Sequence, residues 1–308
     1  MTVRPEIIAI CDLISNEIVV TTKMPLGELG IGPVRGNPMH DRVTLSKFIA
    51  DRLRAEFDGI KKQYESSLPI RNFVVDDVLP VDVALAIHGK FPSGENMRLN
   101  KSLRELKFIS AQMNEHDRLL EESIYAFQEP EIVEIISEVV GKHDMVPDDN
   151  LYAGGISLMA PGHFLNPHLD NSHDKDRQLW RNLNLLFYVS PDWPEDKGGN
   201  LEIWPEGPKQ KQITIHSKFN RLAVMETHHQ AWHSVSPITN TASRCCVSNY
   251  YFGPTPMHPE QEFHVTSFRG RPEQPVRDIV LQADIAARSA VRALFPQGVV
   301  ENKHKYIK

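Results

Sequence analysis

After Pro147 the chain breaks into short β-prone runs, each bounded by turn residues: YAGGISLMA, NLNLLFYVS, NLEIWPE, QITIHS, NRLAVMET, HSVSPIT and CCVSNYYFG. Seven or eight strands at this spacing specify a β-sandwich or barrel. The residues before them read differently. From Thr44 to Ser66, the side chains Leu45, Phe48, Ile49, Leu53, Phe57 and Ile60 recur at helical spacing, which predicts one amphipathic helix. RNFVVDDVLP reads as a strand ending at Pro80, followed by a short helix over 81–89. Residues 115–126 read as helix. EPEIVEIISEVVGK reads as another, with Pro130 at its start and Gly141 just past its end. PVRDIVLQADIAARSAVRALF has helical period again, before the basic end ENKHKYIK. The expected class is mostly β with flanking helices. Residues 1–40 are expected to form a mobile N-terminal segment, 41–146 a helical support with a lead-in strand, 147–254 the β-core and 255–308 a C-terminal helical extension, all one catalytic domain.

A length of 308 residues is enough to bury a sizeable core. A net charge of −6 with scattered lysines and arginines argues against nucleic acid. No apolar run reaches the roughly 18 residues of a membrane span. Glu6, Asp12 and Glu17 interrupt the N-terminus, so no signal peptide is expected. Three cysteines make no disulfide framework, and a bridge between adjacent Cys245 and Cys246 would be strained. A cytoplasmic location is expected. The glycines of PLGELGIGPVRGNPMH (25–40) lack both the P-loop pattern and a dinucleotide-binding context. Fourteen histidines are the one compositional excess, and they point toward metal.

The histidines gain meaning in FLNPHLDNSHDKDRQLW (164–180). His168 and Asp170 are two residues apart, so on a strand an imidazole and a carboxylate share one face. An H-x-D alone also fits a turn histidine beside a loop acid. A third ligand would come from His233, in QAWHSVSP. Two histidines and one carboxylate leave three metal positions open, which suits non-haem Fe(II) and oxygen chemistry; zinc usually takes four ligands or sulfur. Arg244 follows on the next strand. A buried guanidinium there calls for an anion, such as a dicarboxylate cosubstrate held in bidentate geometry. Tyr188 ends its strand where a phenol can reach the same carboxylate. Asn184 shares the face of Leu186 and Tyr188, and reads equally as a pocket residue or a satisfied core amide.

The order of these features is H-x-D, a strand ending in Tyr, DWPEDKGGNLEIWPEG, FNRLAVME, then His and Arg. It resembles the Fe(II)/2-oxoglutarate-dependent dioxygenases, and most closely their prolyl hydroxylase branch, with its EGL-nine and prolyl 4-hydroxylase types. The likeness covers roughly residues 70–253 and includes IRNFVVDDVLP and MAPGHFLNPHLD. It implies a double-stranded β-helix (a cupin-like jelly roll) in which His168, Asp170 and His233 bind Fe(II). It also implies that Arg244, assisted by Tyr188, holds the distal carboxylate of 2-oxoglutarate, with O2 as co-reactant. Met159 stands where many relatives have tyrosine, Cys246 where some have serine, and the His233–Arg244 gap is one or two residues longer than usual. The carboxylate of Asp170 favours hydroxylation over halogenation.

The expected activity is hydroxylation of an unactivated C–H bond in a small molecule, releasing succinate and CO2. The alternatives are a peptidyl-prolyl hydroxylase, a zinc or manganese cupin-like enzyme and a non-catalytic jelly-roll scaffold. A homodimer through the C-terminal helix is a further expectation. His228 and His229 read as turn residues before His233. His163, His173 and Asp174 read as pocket rim or solvated loop, and Trp193, Trp204 and Trp232 as packing anchors.

Overall fold

A computed structural model describes residues 40–294 and 306. The mobile segment expected over 1–40 lies outside these residues except for residue 40, as does nearly all of the basic end. Asp41 accepts the Thr44 N–H and caps α1 (Arg42–Ala55). The single helix expected to Ser66 is broken at Glu56, and α2 (Phe57–Ser66) continues after it. Glu56 leaves helical geometry at φ −102°, ψ 6°, with no Gly or Pro to announce it. Then follow β1 (Asn72–Val75), α3 (Val81–Gly89), β2 (Arg98–Lys101) and β3 (Glu105–Ser110). The β2–β3 hairpin was not anticipated, because its charged sequence shows no clean alternation.

Asp117 caps α4 (Arg118–Ala126) through the Leu119 N–H. α5 (Pro130–Val140) carries Pro130 in its first turn and ends on Gly141 at φ 72°, the left-handed stop that glycine supplies. The β-rich part contains β4 (Val146–Pro147), β5 (Gly155–Met159), β6 (Phe164–Leu169), β7 (Trp180–Tyr188), β8 (Leu201–Ile203), β9 (Ile213–Ile215), β10 (Arg221–Glu226), β11 (His233–Val235) and β12 (Arg244–Gly253). β13 (Ser267–Phe268) and α6 (Pro275–Leu294) follow.

The strands run in the order β1-β10-β7-β12-β5-β3-β6-β11-β8-β9, and every pairing is antiparallel. One edge of β3 pairs with β2, and the other pairs with β6 at residues 105–106 and with β5 at residues 108–110, so β3 joins the two halves of the jelly roll. On β7 the side chains of Leu183, Leu185 and Phe187 join a core built from Leu45, Ile49 and Leu53 of α1, Leu120 and Ile124 of α4, and Ile132 and Ile136 of α5. Period-two alternation turns Asn184, Leu186 and Tyr188 the other way, into a cavity. The helices therefore stiffen the back of the sheet whose front face carries the site. Among the described residues, no helix is long and apolar enough to cross a membrane.

Candidate active site

A cavity of about 380 Å3 opens between the two halves of the roll. His168 on β6 lies directly opposite His233 on β11 in the antiparallel register, with ring centroids 4.1 Å apart. Asp170, just past the end of β6, places Oδ1 3.5 Å from His168 Nε2 and Oδ2 3.7 Å from His233 Nε2. One ligand atom from each residue falls within a 4.8 Å group. Nδ1 of His168 sits 3.0 Å from the Asn166 carbonyl, and Nδ1 of His233 sits 3.0 Å from the Ala231 carbonyl. A carbonyl only accepts, so both Nδ1 atoms carry a proton, and Nε2 is the ring atom that each histidine turns toward Asp170.

Burial and the neighbouring His168 push His233 down to about 4, which leaves it a neutral donor near pH 7. Burial alone would raise the Asp170 carboxyl. Arg181, with Nη1 3.2 Å from Oδ2, and the two histidines together outweigh it, so the group lies well below the usual carboxylate range. Asp170 Oδ2 is nonetheless buried without a well-aligned hydrogen bond. Two imidazole lone pairs and a carboxylate oxygen short of a partner fit a divalent cation.

The β12 side chains Arg244, Cys246, Ser248 and Tyr250 alternate into the same cavity. Their cross-strand partners are Met159 on β5 for Arg244, and Tyr188, Leu186 and Asn184 on β7 for the other three. Arg244 is 3% exposed. Its Nη2 lies 3.0 Å from Met159 Sδ, its guanidinium 5.3 Å from the Tyr188 ring centroid, and its Nε has no hydrogen-bond partner. No carboxylate among the described residues pairs with it. A buried cation in that state is a receptor for an anion. Burial pushes the Tyr188 hydroxyl well up, so it faces the cavity as a neutral donor. Asn184 also lines the cavity, and its Oδ1 lacks a partner.

Four charged groups here, Arg104, Glu105, Lys107 and Arg181, carry no signal in the sequence pattern. Arg181 pairs with Asp170 and lies 4.6 Å over the Tyr250 ring. Its odd position on β7 predicts the core face. Two residues of β7, 181 to 183, are matched against one step of β12, 252 to 251, and that bulge returns Arg181 to the cavity side. Glu105 and Lys107 of β3 also line the cavity, on a strand that was not foreseen.

Other histidines are placed differently from expectation. His163 is buried against Phe108, and His173 is buried with Nδ1 2.7 Å from the Asp174 carbonyl; neither is solvated loop. Asp174 accepts the N–H groups of Gln178 and Leu179. His228 belongs to a second group with Glu226 and His258. Its Nδ1 accepts the Gln230 N–H, so its Nε2 carries the proton toward Glu226 and offers no lone pair for a metal. Trp193 and Trp204 are buried, their indole N–H groups donating to the Gly198 carbonyl and Ser234 Oγ.

Residues 154–252 match the family model described as the 2OG-Fe(II) oxygenase superfamily. A curated relative, Prolyl 3-hydroxylase OGFOD1 of Mus musculus, is 28% identical over 96 residues, which is 30% of this chain and 17% of that protein. Among solved structures, a prolyl-4-hydroxylase of Pseudomonas putida aligns with TM-score 0.48 at 16% identity, over 65% of this chain and 99% of that one. A prolyl 4-hydroxylase of Phytophthora capsici aligns with TM-score 0.47 at 19% identity, over 84% and 81%. The matched stretch 154–252 carries the two histidines, the aspartate and Arg244, and the superfamily that its model describes uses Fe(II), 2-oxoglutarate and O2.

Proposed function

We propose that this protein is an Fe(II)- and 2-oxoglutarate-dependent oxygenase that hydroxylates an unactivated C–H bond of a small molecule. The observation that carries the reading is the shared cavity. Two imidazole Nε2 atoms and a carboxylate converge at one end, and a buried guanidinium without a carboxylate partner lies on the same wall system. In this reading His168, Asp170 and His233 hold Fe(II), with the Asn166 and Ala231 carbonyls fixing the two rings. Arg244 receives the distal carboxylate of 2-oxoglutarate, Tyr188 donates to it, and Asn184 lies two cavity-facing pairs further along β7. Fe(II) bound there supplies oxygen activation: one O2 atom enters the C–H bond, the other enters succinate, and CO2 leaves. The protein's own part is positioning and the exclusion of water.

A small substrate is supported by the way the flanks meet at the cavity. Arg104 and Phe268 line it, and Arg104 pairs with Asp284 of α6, tying the β2–β3 hairpin to the C-terminal helix. A peptidyl-prolyl substrate is the second reading, favoured by the match to the murine prolyl 3-hydroxylase. A homodimer is a further proposal, supported by exposed Val276, Ile279 and Val280 on α6, and sedimentation tests it. Buried free Cys245 and Cys246 suit a reducing compartment such as the cytoplasm.

The deciding experiment is an anaerobic titration with Fe(II) and 2-oxoglutarate, followed by the visible metal-to-ligand charge-transfer band. Wild type develops the band and His168→Ala does not. Absence of the band in wild type would favour the scaffold reading.

A further inference from the structure

β3 turns Glu105, Lys107 and Ile109 toward the cavity, while Leu106 and Phe108 face the other way. Glu105 and Lys107 are therefore neighbours on one face, and Lys107 Nζ lies 3.1 Å from Glu105 Oε2. Asn100 of β2 donates to Glu105 Oε1 at 3.2 Å. Their side chains keep 20% and 22% exposure, and both line the cavity that holds the two histidines. The other cavity charges already have an assignment. Arg181 is engaged by Asp170, Arg104 by Asp284, and Arg244 is reserved for the cosubstrate. One carboxylate and one ammonium, adjacent and ion-paired with each other, remain for the substrate.

A charged pair on a cavity wall resists a neutral visitor, which would strip water from both charges and compensate neither. A visitor carrying both charges exchanges partners without loss. Its ammonium replaces Lys107 at Glu105, and its carboxylate replaces Glu105 at Lys107, each through charge-assisted hydrogen bonds. We infer that Glu105 and Lys107 form the recognition subsite for a zwitterionic small molecule of the α-amino acid type, one of whose aliphatic C–H bonds is thereby held near the two histidines and Asp170. This rests on the oxygenase reading above and names its substrate class. A neutral peptide amide offers neither full charge and binds more weakly.

The test uses the full-length protein with Fe(II) and 2-oxoglutarate under anaerobic conditions. The probes are the twenty protein amino acids as free acids, their N-acetyl and carboxamide forms, and a capped proline-containing peptide. Binding is read as a shift of the charge-transfer band, and succinate release in air follows separately. The expected result is that at least one free amino acid shifts the band, and that blocking either its amine or its carboxylate weakens binding about tenfold or more. Glu105→Gln then removes the discrimination against the N-acetyl form, and Lys107→Met removes that against the carboxamide, with the cosubstrate band intact in both.

Where a single variant fails to fold, the double exchange Glu105→Lys with Lys107→Glu keeps the ion pair, reverses its polarity and abolishes the shift. A wild-type band that no free amino acid shifts, or that the capped peptide shifts as well, overturns the inference and leaves the oxygenase reading standing. Loss of the cosubstrate band in Lys107→Met also overturns it, by assigning the lysine to 2-oxoglutarate. Absence of any band in wild type removes both readings together.

Discussion

Replacing Arg244 with methionine should move stability and cosubstrate affinity in opposite directions. The guanidinium is 3% exposed, and its near neighbours are the Met159 sulfur at 3.0 Å, the Cys246 thiol and the Tyr188 ring. Burying an ion costs several kcal/mol, which an opposite charge normally offsets, and no carboxylate is in place here. A cation–π contact returns only about 0.5–2 kcal/mol. Methionine fills similar volume without the charge, so the ligand-free variant is expected to match wild type or exceed it by up to about 2 kcal/mol. Urea unfolding measures this.

Affinity for 2-oxoglutarate should collapse in the same variant. Two hydrogen bonds between a guanidinium and a carboxylate, at about 1.5–3 kcal/mol each, make a difference of about 3–6 kcal/mol. At about 1.4 kcal/mol per decade, the cosubstrate concentration at half-maximal charge-transfer absorbance rises by two to four orders of magnitude. A variant destabilised by more than about 2 kcal/mol would mean the guanidinium is a structural group satisfied by its present neighbours. A shift in 2-oxoglutarate affinity below about tenfold would place the cosubstrate elsewhere.

Asp148 accepts the N–H groups of Tyr152, Ala153 and Gly154 at 2.9, 2.8 and 3.1 Å, which shapes the loop whose Ala153 and Gly154 line the cavity. Asp148→Ala strands those donors and should lower stability by about 3 kcal/mol in urea unfolding, more than Asp148→Asn. Gly198 has φ 72°, and a Cβ there would lie 1.9 Å from the Pro237 carbonyl oxygen. Gly198→Ala should therefore cost at least about 2 kcal/mol, read from the same transition. Arg221 and Lys218 hold the Asp76 carboxyl down at about 2. Since the folded value is depressed, its contribution to stability is complete above the unfolded value of about 4 and disappears as pH falls through about 2. Asp76→Asn should flatten the pH dependence of the thermal midpoint across that window.

The parts of the fold that were legible in the sequence are those where local chemistry and tertiary need agree. Pro130 and Gly141 delimit α5, and the β-prone runs after Pro147 become strands of the roll. Alternation on β7 was enough to send Asn184, Leu186 and Tyr188 to one face, and that face is the cavity. KSLRELK failed as a strand signal because its charges look solvated. In fact Lys107 and Glu105 pair with each other inside, while Phe108 packs on His163 behind them. The break at Glu56 left no trace, since the apolar positions keep helical phase across it with Leu53, Phe57 and Ile60.

The meeting of His168 with His233 depends on something that no periodicity shows. Val235 pairs with Leu165 and His233 with His168, so β11 advances two residues while β6 advances three. Regular pairing from Val235 would set His233 against residue 167 and turn His168 to the opposite face of the sheet. The extra residue lies in the segment Asn166-Pro167, and Pro167 has no N–H to give to a ladder, so the irregularity costs little there. The Pro167 carbonyl instead accepts the Arg269 N–H, which anchors the irregular stretch to the C-terminal segment. The Asn166 carbonyl, freed in the same stretch, faces His168 Nδ1 and fixes its tautomer. In Asn-Pro-His a single proline therefore accounts for the facing of the imidazole, and the residue before it for the lone pair that the imidazole presents.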